Sequence, residues 1–175
     1  MINFKKNKNK GFTFIELMIV IFIMTVGITA IYTSITRIIS SSTHSALNLT
    51  ANYLAQEGIE IVKSIRDSNY LITGTSWKNE LSTGNYEADY NDYKLTFISS
   101  SSNNFNEYHF LKINKEGFFN YKNGSDSPFK RKITITNQND ENILNVSVTV
   151  YWTEKGKTNE TTVSENLYNL YPLSF

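Results

Sequence analysis

The chain has 175 residues, 17 of them basic and 16 acidic, for a formal net charge of +1; that length holds one globular domain plus an anchor, not two full domains. It contains no cysteine, which excludes a disulfide framework and a thiolate metal site and leaves any exported domain to hold itself by packing alone. The charge is unevenly placed: residues 1–11 hold four lysines (Lys5, Lys6, Lys8 and Lys10) and no acid, so the remainder carries 13 basic residues against 16 acidic ones. That leaves no basic reservoir, and no nucleic-acid partner is expected.

Taken in chain order, the lysines end at Gly11, and Phe12-Thr13-Phe14-Ile15-Glu16-Leu17 opens an apolar run. From Leu17 to Ile35 there is no charged residue, close to the roughly 20 apolar residues needed to cross a bilayer. The lysines mark the amino-terminal side as cytoplasmic, which places the bulk of the chain outside the cytoplasmic membrane. Glu16 is out of place in such a segment. A carboxylate there costs about 2.5–3.5 kcal/mol at the bilayer centre and less near an end, and no basic side chain lies within helical reach in the segment itself. Its partner is headgroup water, a chain terminus or a neighbouring subunit.

Basic leader, Gly11, Phe12, Glu16 and the long apolar run together resemble the prepilin signal of type IV pilins and type II secretion pseudopilins. The resemblance implies that a prepilin peptidase, which is also a methyltransferase, cuts between Gly11 and Phe12 and N-methylates Phe12. It implies that Glu16 pairs with the amino terminus of an adjacent pilin or pseudopilin subunit during assembly. A carboxylate and an ammonium in an apolar bundle then compensate one another, where either alone is costly.

Two other readings compete. A secretory signal has a shorter apolar core closed by a small-x-small cleavage site; the nearest candidate here, Ile28-Thr29-Ala30, has a bulky first residue, and Glu16 lies inside the core. An uncleaved signal anchor shares the pilin topology and carries an extracytoplasmic binding module that does not polymerise.

Past Arg37 and the Ser40–Thr43 run, apolar residues recur at spacings of three and four (Ala46, Leu47, Leu54, Ala55, Gly58, Ile59, Ile61, Val62, Ile65), with Asn52, Gln56, Glu57, Glu60 and Lys63 largely on the other face. No proline interrupts Phe12 to Arg66. One helix of about 55 residues, near 83 Å long, is predicted, with a transmembrane first half and an amphipathic second half laid on a domain. The stretch Ala55 to Asp67 adds a second, weaker resemblance, to the helix end of minor pilins and minor pseudopilins; composition alone does not exclude a plain amphipathic helix with a Glu60–Lys63 surface pair.

Residues 67–93 read as a connecting region anchored by Trp77. From Lys94 the period changes to two. Strands are predicted at Lys94–Ile98, Tyr108–Ile113, Phe118–Tyr121, Lys130–Thr136, Ile143–Trp152 and Glu160–Leu167. A hairpin is expected at Asn114-Lys115-Glu116-Gly117, a loop at Gly124–Pro128 and a turn at Glu154–Lys157. Leu144, Val146, Val148, Val150 and Trp152 share the face expected to meet the helix. The fold class is α+β: one long N-terminal helix packed on a C-terminal antiparallel β-sheet, the arrangement of pilins.

His44, placed on the helix, and His109, placed on a strand, have neither metal-pair nor triad spacing and read as surface or packing residues. Asp126 and the 137–141 turn offer oxygen ligands, but without calcium-loop spacing; no metal, cofactor or catalytic residue is expected. The sequence thus reads as a non-enzymatic, minor structural subunit of a type IV pilus or type II secretion-like filament. Residues 1–11 form its leader, 12–38 its transmembrane and filament-core helix, and 39–175 its extracytoplasmic domain. It is carried first in the cytoplasmic membrane and then in a cell-surface or periplasmic filament.

Overall fold

The computed structural model describes residues 11–92, 94–99, 105–138 and 140–170. The chain divides into two compact units, Met1–Thr43 and His44–Phe175. Helix α1 spans Phe14–Leu71. It is followed by strands β1 (Gly84–Glu87), β2 (Thr96–Ser99), β3 (Phe110–Ile113), β4 (Phe119–Asn120), β5 (Ser125–Asn137), β6 (Ile143–Glu154) and β7 (Lys157–Tyr168). The fold is α+β, a long N-terminal helix packed on a curled antiparallel sheet.

In the first unit the helix buries nothing: every described side chain through Ile39 is exposed. In the second unit the three- and four-residue spacing becomes a core stripe of Ala51, Leu54, Ala55, Gly58, Ile59, Ile61, Val62 and Ile65, all buried. Against it lie Leu144, Val146, Val148, Val150 and Trp152 of β6, each 2% exposed or less, and Ile133 and Ile135 of β5. Gly58 permits this approach, since a Cβ there would stand 2.8 Å from Val148 Cγ1. Trp77 joins the same core.

Strand β5 is the spine of the seven-stranded sheet. Along one edge it pairs with β1 and β3, and along the other with β6, which pairs in turn with β7. The β6–β7 hairpin turns at Lys155 and Gly156, both at positive φ, the conformation a two-residue hairpin loop requires. Asn114 closes the β3–β4 hairpin by accepting the amide protons of Glu116 and Phe118 on its Oδ1.

Several expectations are corrected. The helix runs past Arg66 to Leu71, and the connecting region holds a strand, β1, which inserts beside β5 (Gly84↔Ile135, Tyr86↔Ile133). Gly124–Pro128 is not a loop beyond its first residue, because β5 begins at Ser125. Pro128 is tolerated where the β3–β5 register shifts between Phe110 and Lys112, since a proline can sit at such an irregularity without costing a ladder bond. Gly124 (φ +124°) takes the tight approach there; a Cβ would come within 2.1 Å of the Ile113 carbonyl oxygen. His109 lies just before β3, not on it.

Arg131 occupies a core position of β5 and is wholly buried. Its guanidinium donates to the carbonyls of Leu54 (3.2 Å) and Ala88 (2.7 Å) and to Glu57 Oε1 (3.0 Å). It thereby ties the helix to the strand end of β1. Glu57→Ala strips that charge of its anion. Because Glu57 is itself about a third exposed, the expected loss is about 1–3 kcal/mol, below the range for a fully buried pair. A double-mutant cycle with Arg131→Met, read by urea unfolding, is expected to be non-additive; strict additivity contradicts the pairing.

Titration supplies a second check. Burial pushes the Tyr108 phenol up to about 12 and raises Tyr121, while hydrogen bonds to Glu165 and Glu60 raise Lys63. Each folded-state pKa lies above its unfolded value, so this stabilisation is complete below about pH 10 and is lost as pH rises. Lys122 is raised too, by its hydrogen bond to Asp92, and Lys130, lowered by burial, acts in the opposite sense, one group against four. Thermal midpoints should fall between pH 10 and about 12, the window set by Tyr108; a level or rising midpoint there contradicts the assignment.

Candidate functional site

The amino-terminal end of the described chain is built around a helix cap. Gly11, Phe12 and Thr13 precede α1 in non-helical conformation. Thr13 is the N-cap: its Oγ1 accepts the amide proton of Glu16 at 3.3 Å, and its carbonyl accepts that of Leu17 at 3.1 Å. Threonine suits this position because its side-chain oxygen satisfies one of the amide donors a helix start leaves open. The spacing Thr13-x-x-Glu16 is that of a capping box, a signal legible in the sequence that the sequence reading missed.

Glu16 therefore sits in the first turn of α1, where the positive end of the helix dipole favours a carboxylate by about 0.3–1 kcal/mol. Its side chain is exposed and makes no hydrogen bond or ion pair among the described residues. Phe12 is 75% exposed and Phe14 77%. The structure thus gathers Gly11, Phe12 and Glu16 at one helix end. Lys5, Lys6, Lys8 and Lys10 lie outside the described residues.

Beyond the first turn, Thr25, Thr29, Thr33, Thr36 and Thr43 each donate their hydroxyl to a carbonyl three or four residues back, at 2.8–3.2 Å. Such back-bonding hides the polar hydrogens of a helix in apolar surroundings. The threonines follow one another at helical spacing, a pattern also present in the sequence and unread there. The helix is long and apolar enough to cross a membrane, with none of its most apolar window buried.

In the second unit the histidines are held by acids. His44 Nδ1 lies 2.8 Å from Glu154 Oε2, and His109 Nδ1 lies 2.9 Å from Glu87 Oε2. Neither joins a group of three or more metal-ligating side chains among the described residues. Asp126 is exposed at the start of β5.

Residues 6–32 match the family model described as the prokaryotic N-terminal methylation motif. The chain carries the type IV pilin and pseudopilin signal, followed by a long apolar helix of transmembrane character. Signal and helix are together consistent with a membrane-anchored, pilin-like processed protein of structural type. No curated protein and no solved structure matches the chain.

The cap yields a local prediction. Thr13→Ala removes about 1 kcal/mol from the helix start, so amide exchange at Glu16 should accelerate about fivefold in detergent micelles. Unchanged exchange there contradicts the capping role.

Proposed function

We propose that the chain is a minor structural subunit of a type IV pilus or type II secretion-like filament. One observation supports this reading above the others: the methylation motif at residues 6–32 runs into an apolar helix whose described side chains are exposed through Ile39. In this reading residues 1–11 are the leader. Lys5, Lys6, Lys8 and Lys10 hold it on the cytoplasmic side of the membrane, where prepilin peptidase cuts between Gly11 and Phe12 and methylates the new amino group of Phe12.

The helix from Phe12 to about Ile38 then moves from bilayer to filament core, and residues 39–175 stay outside the cytoplasm. Both surroundings are apolar, so little hydrophobic free energy separates them. What changes is the partner of Glu16. In the filament its carboxylate faces the methylated ammonium of a neighbouring subunit, and in low dielectric that attraction selects the correct neighbour and register.

The two steps separate by mutation. Gly11→Leu should leave the leader attached, seen as slower migration of the membrane-bound protein on an immunoblot; normal processing in that variant refutes the cleavage site. Glu16→Ala should be processed normally, since removing an intramembrane carboxylate relieves a cost of about 2.5–3.5 kcal/mol at most. It should be lost from sheared filaments, and its normal incorporation there counts against the pairing.

A further inference from the structure

A cavity of about 540 Å³ lies in the second unit, lined by residues of the β1 end, β3 and the start of β5. Filament assembly through α1 makes no use of it. Four carboxylates line it, those of Glu87, Asp89, Asp92 and Asp126, against two lysines, Lys112 and Lys122. Glu87 is already committed, accepting the amide proton of His109 at 2.6 Å and facing its Nδ1 at 2.9 Å.

Asp89 is not. It is 2% exposed, and its Oδ1 is buried without a hydrogen-bond partner among the described residues. Its Oδ2 has the Lys122 ammonium at 3.7 Å. The Lys122 side chain is 63% exposed, and its ammonium sits closer to Asp92 Oδ1, at 3.1 Å. Asp92 Oδ2 in turn accepts the Asp89 amide proton at 2.9 Å. A buried carboxylate oxygen left unpaired is costly, and an exposed lysine on a flexible stem compensates it loosely.

We propose that this cavity binds a lysine or arginine side chain of a partner polypeptide. The cation sits on Asp89 and Asp92 in place of the Lys122 ammonium. Its stem lies along Ile98, Phe110 and Tyr121, which also line the cavity and give an alkyl chain an apolar wall. An anion is disfavoured by the four carboxylates, and no three acidic or histidine side chains among the described residues are grouped to hold a metal ion. A polypeptide source is favoured by Tyr90, next in the chain to Asp89. It stacks on Phe118 at 5.7 Å, and the two rings, 47% and 57% exposed, present an aromatic surface of the kind enriched at protein interfaces. The inference does not depend on prepilin processing.

The test is an NMR titration of the full chain in detergent micelles with acetyl-Gly-Arg-Gly-amide, its citrulline counterpart and agmatine. Saturable shifts at Asp89, Asp92 and Lys122 with the arginine peptide, and none with the citrulline peptide, are expected. Asp89→Asn should weaken binding about tenfold, the effect of losing one charge-assisted hydrogen bond. Lys122→Ala should tighten it about threefold by removing the internal competitor, a modest change suited to an exposed ion pair. Agmatine binding as tightly as the peptide supports the site but assigns it to free amines; weaker binding supports the polypeptide source. Asp89→Asn binding as well as the unchanged chain overturns the proposal, as does linear, unsaturated titration. If Asp89→Asn does not fold, Lys122→Ala decides: tighter binding supports the site and unchanged binding overturns it.

Discussion

Every described side chain of α1 through Ile39 is exposed, although most of them are Ile, Val, Leu, Met or Phe. Each such side chain is worth about 1.5–3 kcal/mol when removed from water, so the uncovered run represents on the order of tens of kcal/mol. No surface polarity of the second unit offsets a term of that size. A run of that size is consistent with a helix covered by lipid, as in a membrane-anchored protein. Lipid supplies one cover. In the proposed reading a bundle of neighbouring subunits' helices supplies the other, with similar apolar character, so that a subunit can pass between the two.

In the proposed reading Glu16 distinguishes the two covers. Within a bilayer its cost would be about 2.5–3.5 kcal/mol at most, small beside the hydrophobic gain of the run. The Thr13 cap and the helix dipole recover part of it at the first turn. Neither satisfies the carboxylate itself, which makes no ion pair among the described residues. The back-bonded threonines contrast with it, since their hydroxyls are satisfied within the helix and require no neighbour. Along this helix the threonines are self-sufficient and the glutamate is not.

Much of this was legible in the sequence because it rests on periodicity and order. Lysines, Gly11, Phe12, Glu16 and an apolar run are a linear signal, and the same segment carries the methylation motif. The β6 alternation from Leu144 to Trp152 reads directly as a buried face, and those residues are in the core. Strand β1 was not legible. Gly84 and Asn85 carry turn character, yet both are buried because β1 inserts between β2 and β5, a tertiary fact that local propensity does not contain. Pro128 misled in the same way, since its place in β5 depends on an irregularity in the pairing with β3. Arg131 follows the strand alternation faithfully, but only the approach of Glu57 and two carbonyls makes a core guanidinium tolerable. Asp89, also buried and polar, sat inside a stretch read as connection.

The account stands or falls on what happens at Gly11 and Phe12. The direct measurement is amino-terminal sequencing with intact mass on the protein recovered from membranes of a cell that has prepilin peptidase. The account predicts a chain that starts at N-methylated Phe12. A chain that keeps its lysine leader would contradict it and leave a signal-anchored module, and a start near Ile31 would mean ordinary secretion.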